Sequence, residues 1–428
     1  MSEATPAPGK PAGSTAPAAP PQDGLESRAQ GALREMLSSS WLVTLAALVL
    51  ALVISAVLIA AADADVQAAA GYFFARPMDL LSAAWDAVWS AYVALFQGAV
   101  VDPTAATFVR AVRPLTETMT WSVPLILAGL GLGVGFRAGM FNIGAQGQII
   151  LGAIFAGYIG FAWSLPPGLH LLLAVVGAAI GGGLWAGIAG FLKARTGANE
   201  VIVTIMLNNI AIYLIGYLLT LSAFKRGGSN NPVSPPVASS AVYPQLLGSQ
   251  FRLHLGFVVA ILAAVFVWWL MNRSTIGFAF RAVGSNPNAA RTAGINVNRM
   301  YLVVMVVAGA LAGLAGSAQV LGTEKVLTAG IAASFGFDAI TVALLGRSKP
   351  LGTFFAGLLF GALRAGGFAM QSRTGTPIDI VLVVQSLVVL FIAAPPLVRA
   401  VFRLPAPRGR GGAPAPELSA PVVKEATA

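Results

Sequence analysis

Ten apolar runs, each of roughly twenty residues, recur along this chain, at about 41–62, 114–136, 144–163, 168–192, 200–222, 254–272, 300–321, 328–346, 350–370 and 377–396. A helix of that length crosses a hydrocarbon core about 30 Å thick. Backbone groups in lipid must be satisfied internally, so only helices or a closed barrel can span it. The runs are continuous rather than alternating in ten-residue segments, which excludes the barrel. The sequence therefore specifies an all-α integral membrane bundle of about ten transmembrane helices. Composition agrees: 10% of the 428 residues are charged and 57% are hydrophobic, with a mean hydropathy of +0.79, against about a quarter charged in soluble domains.

Charge placement sets the topology. A net charge of +10 would suggest nucleic acid in a soluble protein, but here basic residues fix orientation and face anionic lipid; no nucleic-acid partner is expected. Arg137, Lys193, Arg195 and the Arg-rich loop 273–299 gather on one side, predicting cytoplasmic N- and C-termini in the cell membrane. Residues 1–35 and 401–428 are rich in Pro, Ala and Gly and read as disordered cytoplasmic tails flanking a transmembrane domain over 36–400. The run near Trp41 lacks a cleavage site and reads as a retained helix. Residues 78–101 carry Asp79 and Asp86 around Trp85 and Trp89, the pattern of an amphipathic surface helix.

Polar residues within spanning runs are expensive and so informative. FRAGMFNIGAQGQIILGA, residues 136–153, places Asn142, Gln146 and Gln148 among glycines. Either the amides cap an ordinary turn, or the turn folds inward and lines a solute path. In ANEVIVTIMLNN, 198–209, Asn199 suits a helix cap, whereas Glu200, Thr204 and Asn208 recur every four residues and form one polar stripe; Asn209 follows. Asp338 interrupts SFGFDAITVALLG, 334–346, as a plain helix start or as the N-terminus of a broken helix. In the 273–299 loop, Asn286 as cap, Pro287 at the first helical position and Gly294 as terminator predict a two-turn helix with Arg281 and Arg291 beside it. Such a short helix is marginal alone and invites a partner.

No residue set supplies covalent chemistry. There is no P-loop, nucleophile elbow or metal-ligand spacing, and the chain has no cysteine. No catalytic and no metal-ligating residue is assigned. The acids Glu117, Glu200, Glu324, Asp338 and Asp379 lie near segment ends, so only Asp338 is a candidate for deep ion coupling, which favours an external motor over a secondary carrier.

GMFNIGAQGQIILGA, NEVIVTIMLNNIA, GSNPNAARTAGI and GFDAITVALLGRSKPLGTFFAGLLFGAL resemble the permease subunits of ABC-type importers for nucleosides and simple sugars, within the wider superfamily of branched-chain amino acid permeases. The likeness covers most of 110–395. It implies a type II importer bundle that is a transport subunit and not an enzyme. An ATPase would use ATP and Mg²⁺ outside this chain, which itself holds no cofactor. The other partners implied are a second, different permease chain, an extracytoplasmic solute-binding protein and membrane lipid. Nucleosides are the expected solute. The alternatives are a simple sugar or other small polar solute, a stand-alone secondary carrier, and a scaffold that moves no solute. The substrate path is expected near Asn142, Gln146, Gln148, Glu200, Thr204, Asn208, Asn209 and Asp338. ATPase coupling is expected through Arg281, Asn286, Pro287, Arg291 and Gly294. The resemblance implies Glu at the position that Gln146 occupies here, so the chain departs from the expected pattern at that residue.

Overall fold

The computed structural model describes residues 40–403; apart from 401–403, the two tails expected above lie outside the described residues. These fall into two units. The smaller comprises the described residues before Leu48 and after Ala393, with the start of helix α1 (Ser40–Ala62) and the short α15 (Pro395–Phe402). The larger, Leu48–Ala393, carries the rest of α1, then α2 (Ala64–Ala70), α3 (Pro77–Ala99), α4 (Phe108–Arg137), α5 (Ala145–Ala162), α6 (Leu169–Thr196) and α7 (Glu200–Leu218). There follow α8 (Gly256–Arg273), α9 (Thr275–Ser285), α10 (Pro287–Thr292), α11 (Val297–Ser317) with a π-helical extension Ala318–Thr323, α12 (Phe335–Leu345), α13 (Pro350–Thr374) and α14 (Ile378–Ala393). Among the described residues, eight helices are long and apolar enough to cross a membrane, and the chain is a multi-pass helical membrane protein.

The bundle is assembled around α4, in which every residue from Ser122 to Gly135 is buried. Large apolar side chains point outward instead: Leu184, Ile188, Ile202, Met206, Trp268 and Trp269 are exposed, as lipid-facing positions should be. Between helices the contacts are small. Gly309 and Gly313 of α11 lie against Gly182 and Ala178 of α6, while Gly357 and Gly361 of α13 meet Ile126 and Ser122 of α4. Lipid gives no hydrophobic drive for association, so close backbone approach supplies it.

Two faces follow from the helix ends. Arg137, ending α4, packs its carbonyl on Gly284 of α9, and Ser348, just before α13, lies against Gly133; this is the face that carries the 273–299 loop. A 30-residue helix is about 45 Å long, so α4 begins on the opposite face, where Arg373 of α13 pairs with Asp102.

Two of the ten expected runs form helices shorter than a full span, 377–396 giving the 16-residue α14 and 328–346 the 11-residue α12. Over 328–346 the helix begins only at Phe335 and lasts 11 residues. Before it, Leu327 exchanges hydrogen bonds with Ser234, and Val237 N–H donates to Lys325 O at 2.9 Å, so this backbone pairs with a loop rather than with itself. Over 78–101, α3 lies lengthwise on α13: Leu95 meets Gly366, Gly98 meets Ala369, and Asp102 meets Arg373. All three pairs advance together, so the two helices run in the same direction.

Candidate functional site

The FNIGAQGQ segment enters the bundle as non-helical chain. Gly139 (φ +73) turns it sharply beneath α9, a left-handed conformation natural to glycine. From there Phe141 to Gly147 climbs beside α7, and the polar stripe of α7 serves its backbone. Phe141 N–H donates to Glu200 Oε1 (3.5 Å), Ile143 N–H to Thr204 Oγ1 (3.3 Å) and Gly147 N–H to Asn208 Oδ1 (2.8 Å), while Asn208 Nδ2 donates to Ile143 O (2.9 Å). Asn142 and Gln148 clasp each other through reciprocal amide bonds of 3.1 and 2.9 Å, both side chains buried. Lys193 Nζ holds Glu200 at 2.7 Å. Irregular backbone at membrane depth needs such partners. Asn209, about 100° further around α7, is exposed and donates to Ile205 O, away from this network.

Gln146 reaches the other way. Its Nε2 donates to Ala333 O at 2.6 Å, and its Oε1 accepts from Gly336 N–H at 2.9 Å. One amide thus joins the starts of two helices, α5 and α12, that begin inside the bundle. On α12, Asp338 Oδ2 accepts from Ser334 Oγ (2.8 Å) and from Arg364 Nη1 (3.0 Å) of α13. The Arg364 guanidinium lies 4.6 Å from the Phe335 ring centroid and 5.3 Å from that of Trp121, within cation–π range. Sequence reasoning missed Arg364; an arginine midway along an apolar run was the available signal.

Above this ion pair, towards the face opposite the 273–299 loop, a cavity of about 810 Å³ opens between α3, α4 and α13. Trp121 and Phe368 stack at its lower end with centroids 5.4 Å apart. Glu117, one turn above Trp121, pairs with Arg252 (3.2 Å) and Arg113 (3.9 Å). At the rim, Asp102 is bound by the Thr104 hydroxyl and by Arg373, in that order of effect, and these hold its carboxyl below the usual aspartate range. Nearby, His254 is buried against Tyr243 (5.5 Å) with Nδ1 accepting from Gly256 N–H. Burial, then the charges of Arg252 and Lys325, push its imidazole down to about 4. Among the described residues no cluster of His, Asp and Glu could hold a metal ion.

On the opposite face α10 stands as a handle. Asn286 Oδ1 accepts from the N–H groups of Asn288 and Ala289, Pro287 opens the helix, and Gly294 (φ +83) follows it. Ala290 packs with Val283 and Val297, so the two turns are anchored rather than marginal. Arg291 is exposed, and Arg281 is half-buried with Nη1 lacking a partner.

Helices that start inside the bundle from non-helical chain, a cavity on one face and an anchored handle on the other together describe a membrane permease. Residues 115–393 match the family described as branched-chain amino acid transport system / permease component, and the chain belongs to it. It is 39% identical over 286 residues to the guanosine ABC transporter permease protein NupP of Bacillus subtilis, covering 67% of this chain and 82% of that one. It is 37% identical to the glucose ABC transporter permease protein TsgB13 of Haloferax volcanii (68% and 80% covered). It is 34% identical to the nucleoside ABC transporter permease protein NupB of Lactococcus lactis (66% and 79%). No solved structure matches the chain.

Proposed function

We propose that this chain forms half of the translocation path of an ATP-driven importer, with nucleosides as its solute. The observation that carries the reading is the junction at Gln146, where α5 and α12 start under an open cavity. Small movements of α12 against α13, shared with α5 through the Gln146 amide, would close the space above or open one below, which is alternating access with little repacking. Asn142, Gln148, Glu200, Thr204 and Asn208 hold the non-helical segment in register. Gln146 and Asp338 lie at the moving junction.

Drive comes from outside the chain. The Asn286-capped helix, with Arg281, Pro287, Arg291 and Gly294 shaping it and its surround, is the element that a cytoplasmic ATPase subunit would grip, using ATP and Mg²⁺ of its own. A second permease chain and an extracytoplasmic solute-binding protein complete the assembly in the cell membrane. The guanosine and nucleoside permeases among the relatives support the solute class; the glucose permease supports a sugar as the second reading.

The test is co-purification with the cognate ATPase, followed by uptake in proteoliposomes. Arg291→Glu is expected to weaken ATPase retention and ATP-dependent uptake together. Retention equal to wild type would remove Arg291 from the contact. A panel of nucleosides and hexoses offered to the whole assembly separates the two solute readings.

A further inference from the structure

The cavity opposite the coupling face divides by chemistry along its depth. Its lower end is aromatic: Trp121 of α4 and Phe368 of α13 stack at 5.4 Å, with Ala365, Ala369 and Gly98 around them. Trp121 is fixed from behind by the Arg364 guanidinium, which Asp338 holds in turn. Its upper part is charged, with Glu117 one turn above Trp121 held between Arg252 and Arg113, Arg110 beside them, and the Asp102–Arg373 pair at the rim. One helical turn is about 5.4 Å, so a ring stacked on the exposed Phe368 side chain, over Trp121, would carry its substituents up towards the Glu117 carboxylate. The volume, about 810 Å³, lies within the range of small-molecule sites, roughly 300–1,000 Å³.

We propose that this cavity is the solute-receiving site, with Phe368, backed by Trp121, as the stacking platform for a planar heterocyclic base and Glu117 as the acceptor for the hydroxyls of an attached sugar. The inference rests on the nucleoside reading above and adds the residues that recognise each half of the solute. An amphipathic solute fits the division between aromatic floor and polar wall. Glu117 already meets Arg252 through Oε2 and Arg113 through Oε1, yet a carboxylate has about four acceptor positions, so capacity remains for a vicinal diol.

The experiment uses the complete assembly, binding protein included, in proteoliposomes, and compares uptake of a purine ribonucleoside with that of its 2′,3′-dideoxy analogue. The binding protein is identical in every arm, so a change in the ratio between variants belongs to this chain. Glu117→Gln is expected to lower the ribonucleoside-to-dideoxy ratio about tenfold, the scale of a hydrogen bond to a charged group. Phe368→Ala, at a half-exposed side chain, is expected to slow both solutes about tenfold, the scale of a lost base-stacking contact, and Phe368→Tyr to restore both. Nucleoside uptake with wild-type rates and ratios in Glu117→Gln and Phe368→Ala would overturn the inference while leaving the solute class intact. Hexose uptake without nucleoside uptake by the wild-type assembly would overturn the solute class itself.

Discussion

Replacing Gln146 by Met isolates the junction between α5 and α12. Methionine keeps the length and apolar stem of the side chain but removes both polar contacts. Gly336 N–H and Ala333 O are then left without the partners now at 2.9 and 2.6 Å. A buried group deprived of its hydrogen bond costs about 1–3 kcal/mol, so two cost about 2–6, and the thioether's apolar burial offsets about 1 kcal/mol of this. The start of α12 should therefore open locally more often by a net of about 1–5 kcal/mol, or roughly 5- to 4,000-fold at about 1.4 kcal/mol per decade. Hydrogen exchange of the peptide covering 333–338, in the purified assembly, reads this directly. Gln146→Glu makes a sharper probe. Its carboxylate still accepts from Gly336 but opposes Ala333 O with a lone pair, so exchange relative to wild type at the same pH should be raised at neutral pH, and that ratio should fall back as the pH is lowered and the acid regains a donor. Asn209→Leu, at an exposed site outside the network, should leave exchange unchanged. If Gln146→Met exchanges within twofold of wild type over 333–338, the amide does not hold the two helices together.

Three other outcomes follow from the same geometry. Arg364→Met or Asp338→Asn alone should destabilise the fold by about 2–3 kcal/mol, below the 3–5 of a fully buried pair because both side chains keep about a fifth of their exposure (18% and 21%); the double variant should recover part of this, and strict additivity of the two losses in detergent melts would argue against coupling. His254, with an ordinary value of 6.5 lowered to about 4, stays neutral in the fold while the unfolded chain takes up a proton, so stability is complete above 6.5 and declines as pH falls towards 4, by at most about 3 kcal/mol; melts of His254→Phe should lose that slope, and an unchanged slope would assign it to other groups. Because the chain has no cysteine, single cysteines report topology without background: α3 running parallel to α13 predicts that Arg76→Cys labels from the same side as Asn288→Cys and that Thr104→Cys labels from the other, whereas labelling of 76 and 104 from one side would leave α3 on the membrane surface.

The helical class, the sites of the spanning runs and the capped handle at 286–294 were legible because each is written in local terms: run length, cap residue, positive-φ glycine. The amides at 142–148 and the stripe at 200, 204 and 208 were legible as a concentration of polarity, but not as partners of one another. Their pairing joins segments about sixty residues apart, and nothing local distinguishes an amide that lines a path from one that satisfies a backbone. Asp338 stood out for the same reason, yet its counter-charge did not. Arg364 lies 26 residues away on another helix, inside a run whose hydropathy masks it. For α3 the two aspartates and two tryptophans were legible as an amphipathic pattern, but its packing partner, the face of α13 carrying Gly366 and Ala369, is visible only once the helices are placed.

The central claim is that this chain is a gate moved by a motor it does not carry. The direct measurement is solute accumulation in proteoliposomes, with and without the cognate ATPase and binding protein, at fixed ATP and with ion gradients imposed in turn. Uphill uptake is expected only when the ATPase, the binding protein and ATP are all present; accumulation by this chain alone under an ion gradient would contradict it.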